Sequence, residues 1–441
     1  KRPAIDTPPV YRGESANPSI GSANSLGNEK WWEVFQDPVL QQLIRTALQN
    51  NYDVQIAATR VLQAQAQLGI TRAYRFPLAN AGGQIFSERN PKIASALPVT
   101  EANAGELNLS VIWNLDFWGK YRRETEAARA NLLATEWGRR TVVTSLVSNV
   151  ATAYFQLREL DLALQIAKNT LASRQHSLKL TNVLAQNGSA SRLEIRQSEQ
   201  LVYTAAETVP DLERQIAQQE NLLSILLAEN PSAIPRGKQL TEQPKLAAVP
   251  AGLPSELLER RPDIREAEES LVAANAEIGV AKADYFPNIS LTGTAGFESF
   301  ALSKLFTSSA GLWNAAGSLT QPVFAAGGLH AGMQLAQAQQ QQMLLTYKQT
   351  IMGAFQQVSD SLVGYQKDHE FREQQELLTS AAQDTDRLSN TLYQHGGTSY
   401  LQVLTSETNY FAAQLNLAQA QLNEQLALVQ LYDALGGGWQ Q

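Results

Sequence analysis

The 441-residue sequence contains no cysteine, only four histidines and no concentration of positive charge. Without cysteine the chain cannot form disulfides, bind a metal through thiolates or use a cysteine nucleophile. The formal net charge of −7 argues against nucleic acid as a partner, because phosphate binding needs clustered Lys and Arg. These absences exclude disulfide-stabilised scaffolds, thiol enzymes and nucleic-acid-binding proteins.

Long apolar runs are also missing. Charged residues make up 17% of the sequence, below the roughly 25% typical of soluble domains. Yet no stretch of about 20 mainly apolar residues predicts a membrane-spanning helix. The segment 305–347 lacks Asp, Glu, Lys and Arg, but Pro322 and many polar residues interrupt it. The sequence therefore predicts no helix embedded in lipid.

Clusters of residues that could carry chemistry are absent as well. The four histidines, His176, His330, His369 and His395, are scattered and show no metal-ligand spacing. The glycine triplet 436–438 lacks the Lys-Ser/Thr of a phosphate-binding loop and predicts a helix end. We therefore predict no catalytic, cofactor-binding or metal-binding residue and no enzymatic activity.

What the sequence does contain is an internal repeat. A shift of 210 residues aligns Asp53-Val54 with Asp263-Ile264 and Phe76-Pro77 with Phe286-Pro287. A shift of 208 residues aligns Asn187-Gly188 with His395-Gly396, Leu193 with Leu401, and Ser198-Glu199 with Ser406-Glu407. Each half shows a helix of moderate length, two alternating segments, a very long helix, a glycine turn and a returning helix.

The alternating segments predict β-strands with one apolar and one polar face. Every odd position from Leu107 to Phe117 is apolar, and the segment from Ile289 to Phe297 repeats the pattern. Weaker alternation around 79–87 and 312–323 adds a second strand to each half. Each half therefore predicts one β-hairpin.

Four strands cannot close a barrel, and open sheet edges are not tolerated in lipid. Two chains would supply about eight strands, and side chains fill the interior of a barrel of that size. Three chains would supply about twelve strands and leave a lumen. We therefore predict a homotrimer in contact with membrane lipid. The predicted fold class is mainly α with a transmembrane β-barrel, to which each chain contributes four strands.

The long helical segments carry heptads, which predict supercoiled packing into helical hairpins. A single helix over 119–185 would be about 100 Å long. Stacking each opening helix end to end on the returning helix would match this length, and Pro210 predicts a kink or break. The first heptad series consists of Val143, Val150, Leu157, Leu164, Leu171 and Leu178, with Leu146, Ala153, Leu160 and Ala167 in the partner position.

These patterns define a predicted organisation of the chain. It comprises an extended N-terminal arm at 1–37, repeat 1 at 38–229, an inter-repeat segment at 230–260, repeat 2 at 261–435 and a tail at 436–441. Repeat 1 has helices at 38–50, 52–75, 119–185 and 190–229 and a hairpin at 78–117. Repeat 2 has helices at 262–285, 328–392 and 399–435 and a hairpin at 288–324. The two glycine turns, at 186–190 and 395–399, occupy equivalent places and are predicted to lie together at one tip.

Several short motifs, in order along essentially the whole chain, match a known family. They are Lys1-Arg2-Pro3, Trp31-Trp32, Phe35, Asp37-Pro38, Leu115-Asp116-Phe117-Trp118-Gly119, Arg260-Arg261-Pro262-Asp263-Ile264, Asp284-Tyr285-Phe286-Pro287 and Leu435-Gly436-Gly437-Gly438-Trp439. With these motifs the sequence resembles the outer-membrane factor family, the TolC-like and OprM-like channels of tripartite efflux pumps. The resemblance is closer to the lipoprotein branch.

The resemblance implies a trimeric, passive conduit for toxic compounds in the bacterial outer membrane. It implies a twelve-stranded barrel, a twelve-helix periplasmic tunnel and a belt-like equatorial domain. The implied partners are a periplasmic adaptor protein and an inner-membrane RND-type transporter that supplies the energy. The lipoprotein branch carries an acylated Cys just before the Lys-Arg-Pro segment, so a lipid anchor preceding Lys1 is expected.

The family closes its periplasmic end by drawing the tip helices together, and the matching positions are Leu401, Thr405 and Thr408. Close relatives often place Asp and Arg at the last two positions. With threonines instead, we expect an apolar constriction from Leu401 with hydroxyl contacts. The expected adaptor-docking tips are Asn187, Gly188, Ser189, His395, Gly396, Gly397 and Thr398.

Two alternatives stay open at this point. A soluble or fibrous coiled-coil scaffold would explain the heptads but not the four alternating segments. A channel of the same fold could instead serve as the exit duct for type I protein secretion, which the sequence barely separates from efflux. The range of transported compounds and the particular transporter and adaptor are not encoded in any pattern above.

Overall fold

The structure is a computed structural model that describes residues 3, 7–8, 11–12, 25–89, 101–243, 252 and 254–439. Most of residues 1–24, which include the larger part of the predicted N-terminal arm, lie outside the described residues. So do 90–100 in the first predicted hairpin, 244–251 and 253 in the inter-repeat segment, and 440–441 in the tail.

The described residues form helices and strands in the order that the repeat predicts. The N-terminal arm contains α1 (Trp31–Val34). Repeat 1 contains α2 (Pro38–Asn50), α3 (Tyr52–Ala73), β1 (Leu78–Arg89), β2 (Glu101–Leu115), α4 (Lys120–Gln186) and α5 (Arg192–Leu226). The rest comprises α6 (Pro254–Arg260), α7 (Pro262–Ala283), β3 (Asn288–Ser299), β4 (Gly311–Thr320), α8 (Gly328–Gln394) and α9 (Tyr400–Ala434). In the part of the chain that the structure describes, no helix is both long and apolar enough to cross a membrane.

Equivalent helices of the two repeats have equal lengths. The opening helices α3 and α7 have 22 residues each, the long helices α4 and α8 have 67 each, and the returning helices α5 and α9 have 35 each. Equal lengths are expected if both repeats place the same turns at the same positions. The tandem repeat predicted from the sequence is therefore confirmed.

The four strands form one antiparallel sheet in the order β1-β2-β3-β4. Residues directly opposite each other point to the same face of a sheet. One face carries apolar cross-strand pairs such as Leu107–Phe297 and Trp113–Leu291, whereas the other carries the polar pair Ser110–Thr294. The predicted strands are confirmed, and a purely helical scaffold is excluded.

The chain divides into two compact units. Unit 1 comprises Lys1–Ala58, Gly138–Arg265 and Gln349–Gln441, and unit 2 comprises Thr59–Trp137 and Glu266–Lys348. The heptad residues Val150 and Leu157 are fully buried in unit 1, which is what a supercoil seam requires. A buried cluster of unit 1 joins α4, α5 and α9 through Ala163, Ala167, Leu212 and Phe411, with Leu160, Leu164, Val209 and Leu415 packed against it.

The junction between strands and helices in unit 2 is built by two motifs that carry the family resemblance. Trp118 stacks on Phe286 with ring centres 4.8 Å apart, and its Nε1 donates to the Pro287 carbonyl at 2.8 Å. The Asp116 carboxylate accepts from the backbone nitrogens of Tyr121 and Arg122 at the start of α4. These contacts explain the residues of both motifs as helix capping and packing.

The ends of the opening and returning helices meet in both repeats, as the length argument predicts. Asn51, just before α3, donates from Nδ2 to the Leu226 carbonyl at the end of α5, 2.9 Å away. The equivalent residue of repeat 2 is Arg261, whose Nη1 donates to the Ala434 carbonyl at the end of α9, also 2.9 Å away. Each contact satisfies a carbonyl that a helix end would leave without a donor.

A buried carboxylate holds the inter-repeat segment to the body of unit 1. Asp37 is fully buried and accepts from the Val39 nitrogen at 2.9 Å, the Tyr154 hydroxyl at 2.8 Å, the Lys238 nitrogen at 2.9 Å and Gln243 Nε2 at 3.2 Å. One side chain thus satisfies four donors, three of which lie far from Asp37 in the sequence.

The break predicted at Pro210 does not occur. Helix α5 runs unbroken from Arg192 to Leu226 with Pro210 inside it. Proline removes the donor for the carbonyl four residues earlier, that of Ala206. Because Pro210 is exposed, water can bond to that carbonyl.

Candidate functional site at the tip turns

The two glycine turns of unit 1 have the same backbone construction. In the first, Gly188 N donates to the Ala185 carbonyl and Ser189 N to the Leu184 carbonyl. In the second, Gly396 N donates to the Tyr393 carbonyl and Gly397 N to the Leu392 carbonyl. This is the Schellman motif, which needs a left-handed residue just past the helix end. Gly188 and Gly396 supply it with φ of 76° and 72°.

The polar residue before each of these glycines serves the same turn. Asn187 donates from Nδ2 to the Val183 carbonyl at 2.8 Å, and His395 Nδ1 lies 2.8 Å from the Thr391 carbonyl. Each side chain therefore returns to the last turn of its own long helix. Of the predicted docking residues, Asn187 and His395 thus have a structural role, whereas Ser189 is exposed and Thr398 half-buried.

Hydroxyl groups join the two repeats directly behind these turns. Tyr400, the first residue of α9, is buried, and its hydroxyl shares a short hydrogen bond with Ser198 of α5. Ser198 in turn donates to Thr181 of α4 at 3.4 Å. Tyr393 at the end of α8 lies against Tyr400 with ring centres 5.3 Å apart. The structure therefore brings the turns of both repeats to one end of unit 1.

The three predicted gate residues lie on one face of α9. Leu401 is 61% exposed, and Thr405 and Thr408 are also exposed. The Thr405 hydroxyl donates to the Leu401 carbonyl at 2.9 Å and the Thr408 hydroxyl to the Leu404 carbonyl at 2.8 Å. Both hydroxyl hydrogens are thus used within the helix, which leaves only acceptor lone pairs on this face. The face is otherwise apolar and uncharged.

Tyr400 and Ser198 were not identified as site residues from the sequence. A signal was present in the repeat alignment, because the residue equivalent to Tyr400 in repeat 1 is Arg192, which is exposed. A buried aromatic residue replacing an exposed Arg at a helix start indicates a contact made by one repeat only. Heptad and turn patterns do not reveal which residue that contact reaches.

The described residues contain no group of three or more His, Asp or Glu that could hold a metal ion. His369 is the histidine with carboxylates beside it, and its Nδ1 lies 2.6 Å from Glu424. Glu424 is buried and forms an ion pair with Arg372 at 2.7 Å. These groups neutralise one another between α8 and α9, as buried charges must.

Comparison with known proteins gives a consistent result over the whole chain. A family model described as outer membrane efflux protein matches residues 43–229 and 253–437. The two matched segments correspond to the two repeats, so both halves carry the family signature.

Two curated proteins and one solved structure are similar over nearly their full lengths. The cation efflux system protein CusC of Escherichia coli O6:H1 is 37% identical over 442 residues, covering 100% of this chain and 95% of CusC. SilC of Salmonella typhimurium, a probable outer membrane lipoprotein, is 35% identical, covering 100% of this chain and 94% of SilC. A crystal structure of CusC has a TM-score of 0.89 at 34% identity, covering 99% of this chain and 98% of that one.

Proposed function

Because the chain belongs to the outer membrane efflux protein family, we propose that three copies close one passive conduit, which is gated at its tip by Leu401, Thr405 and Thr408 of α9. The observation that carries this proposal is the sheet of unit 2, in which β1 and β4 each have only one partner strand among the described residues. An edge in lipid leaves backbone donors and acceptors without water, so further strands must cover it.

The general function does not depend on the number of copies. The chain is the outer-membrane channel component of an efflux system, as its family and its relatives establish. CusC is named for cation efflux, and neither CusC nor SilC is named for protein secretion. The comparisons therefore support efflux over the type I secretion alternative. We propose that the conduit itself performs no catalysis and that the transporter selects the compounds, with metal cations one candidate class.

The junction between copies can be derived from the junction between repeats. β2 and β3 belong to different repeats, and Leu109 lies opposite Ala295 between them. The shift of 208 residues takes Leu109 forward to Gly317 of β4, and the shift of 210 residues takes Ala295 back to Ile85 of β1. The same pairing therefore places Gly317 opposite Ile85 of a second copy. The two positions cannot meet within one chain, because β2 and β3 lie between β1 and β4.

The absence of cysteine from the chain makes this junction easy to test. A variant with Ile85→Cys and Gly317→Cys is expected to form disulfides between copies in membranes, with products that end at three linked chains on a denaturing gel. The control variant combines Ile85→Cys with Gly311→Cys, which moves one thiol by about 20 Å along the strand. Products that end at two chains, or equal linkage in the control, would refute the proposed trimer junction.

We also propose that the tip turns dock the periplasmic adaptor protein that connects the conduit to an RND-type transporter. Ser189 and Thr398 support this proposal, because neither side chain is needed for the turn and both turns lie at one end of unit 1. SilC is a probable outer membrane lipoprotein, which supports a lipid anchor for this protein too.

A photoreactive residue placed at Ser189 or Thr398 is expected to capture the adaptor in cells. The matched control is Glu213, an exposed residue of α5 that forms an ion pair with Lys168 at 2.8 Å. Adaptor capture from position 213 but from neither turn would show that docking occurs along the helices instead.

A further inference from the structure

A buried guanidinium connects the two repeats behind the tip turns. Arg174 of α4 is only 3% exposed, and its Nη1 donates to the Leu201 carbonyl of α5 at 2.9 Å. Its guanidinium carbon lies 5.1 Å from the centre of the Phe411 ring of α9. The Nε–H group has no hydrogen-bond partner among the described residues. Arg174 therefore carries a buried positive charge that is incompletely hydrogen-bonded.

Two carboxyl groups of repeat 2 interact with this guanidinium, Asp386 of α8 and Glu407 of α9. Asp386 accepts from Asn390 Nδ2 at 3.2 Å, whereas the hydroxyl of the neighbouring Ser406 donates to the Val403 carbonyl at 2.9 Å. The Oε2 atom of Glu407 is buried and has no hydrogen-bond partner within the described part of the chain. The cluster, which we call the tip carboxyl cluster, thus contains two acids and one guanidinium.

Within the described part of the chain, Arg174 is the cation that acts on the two acids. The remaining titratable groups nearby are the phenols of Tyr400, close to Arg174 and Glu407, and Tyr410, close to Asp386, with Glu194 of α5 acting on Tyr400. Burial raises the pKa of both phenols, so they stay neutral at physiological pH. With both acids ionised, the tip carboxyl cluster would hold one uncompensated negative charge, which is costly because both acids are half-buried and Glu407 Oε2 is fully buried.

The equivalent position of repeat 1 does not have this imbalance. Glu199 of repeat 1 is the equivalent of Glu407, and it forms an ion pair with Arg196 one turn earlier at 2.5 Å. The residue equivalent to Arg196 in repeat 2 is Leu404. Glu407 therefore has no such local partner, and the cation that acts on it is Arg174, which also acts on Asp386.

We propose that Asp386 and Glu407 share one proton while the tip hairpins are packed, and that loss of this proton loosens α9 from α4 and α8. Two acids opposite one guanidinium are neutralised if a single carboxyl keeps its proton. Leu401 lies in the first turn of α9, so any effect of this proton on conduction depends on the proposed gate. The existence of the shared proton does not depend on that gate.

The expected direction follows from the titration of the pair. Burial raises the pKa of Asp386, and burial together with the nearby Asp386 raises the pKa of Glu407 to about 7, while Arg174 opposes both shifts. A carboxyl whose pKa is higher in the folded than in the unfolded state stabilises the fold below its unfolded pKa. That stabilisation is lost as the pH rises through the folded value. The tip should therefore be tightest in acid and should loosen as the pH rises through about 7.

Hydrogen exchange of the purified, detergent-solubilised protein tests the proposal without measuring conduction. After correction for the intrinsic rate, amides of 400–412 in the wild type are expected to exchange several-fold faster at pH 8 than at pH 6. Glu407→Gln should exchange slowly at both pH values, because the amide cannot ionise. The control Glu199→Gln changes the equivalent acid, which has its own Arg, and should retain the pH dependence of the wild type.

Asp386→Asn provides a second route if the first variant folds poorly. It leaves one acid facing one guanidinium, so Glu407 can ionise without a net charge and the pH dependence should also disappear. The proposal is overturned if both variants keep the pH dependence of the wild type, or if Glu199→Gln abolishes it. A gate that does not involve Leu401 would leave these exchange results unchanged.

Discussion

Asp37→Ala is expected to lower the free energy of unfolding by about 4 kcal/mol, because the variant leaves buried donors without an acceptor. Asp37 accepts hydrogen bonds from Val39, Tyr154, Lys238 and Gln243, and its side chain is fully buried. Each unsatisfied buried donor costs about 1–3 kcal/mol, and water entering the vacated space recovers part of the total. The measurement is a denaturant titration of the detergent-solubilised protein.

Two further variants separate the role of the carboxylate from a general effect of mutation. Asp37→Asn keeps the volume and one acceptor oxygen, so we expect about half the loss. Asp211→Ala removes an exposed acid that pairs with Arg214 and Gln215 on its own helix, α5, and it should leave the free energy of unfolding almost unchanged. A loss for Asp37→Ala as small as that for Asp211→Ala would show that the four hydrogen bonds are not what holds the inter-repeat segment.

Leu401→Ser is expected to raise the ion conductance of the purified channel in planar bilayers several-fold. Leu401 is exposed in the single chain and lies on a face without charge, so copies of it would meet as an apolar ring. A narrow apolar ring excludes water and therefore ions, whereas a ring of serines can be hydrated. Because the substitution leaves the helix backbone and its hydrogen bonds in place, the change should affect the constriction alone.

The repeat offers a matched control for this substitution. Leu193 occupies the equivalent position of repeat 1 and is similarly exposed, at 67% against 61% for Leu401. Leu193→Ser makes the same chemical change at the same place in the other turn, and we expect the conductance of the wild type. An unchanged conductance of Leu401→Ser would remove Leu401 from the gate, and an equal rise in both variants would assign closure to both turns together.

The sequence predicted the fold where a periodic pattern spans many residues. The heptads of α4 identified Val150 and Leu157 as buried, and alternation identified the face of Trp113 and Leu291. Such patterns can be detected because apolar residues recur every two positions in a strand and every three or four positions in a helix. The helix lengths then predicted that each opening helix stacks end to end on its returning helix, and the contact of Asn51 with the end of α5 agrees with this.

Isolated long-range contacts could not be predicted in this way. Asp37 caps α2, but its partners Tyr154 and Gln243 lie more than a hundred residues away. The same holds for the hydroxyl pair Ser198–Tyr400, which nothing in either local sequence indicates. The rule that a proline breaks a helix gave a wrong prediction at Pro210, because α5 continues through it. Water can replace the missing donor to the Ala206 carbonyl.

The threonines at the proposed constriction have one further consequence. Their hydroxyl hydrogens are donated to carbonyls of the same helix, so closure would not draw on attraction between opposite charges across the bore. Charge attraction weakens with ionic strength, since the Debye length falls from about 10 Å at 0.1 M to about 3 Å at 1 M salt. Closure of an apolar constriction depends instead on the exclusion of water. The proposed gate would therefore stay closed to the same extent at low and at high ionic strength.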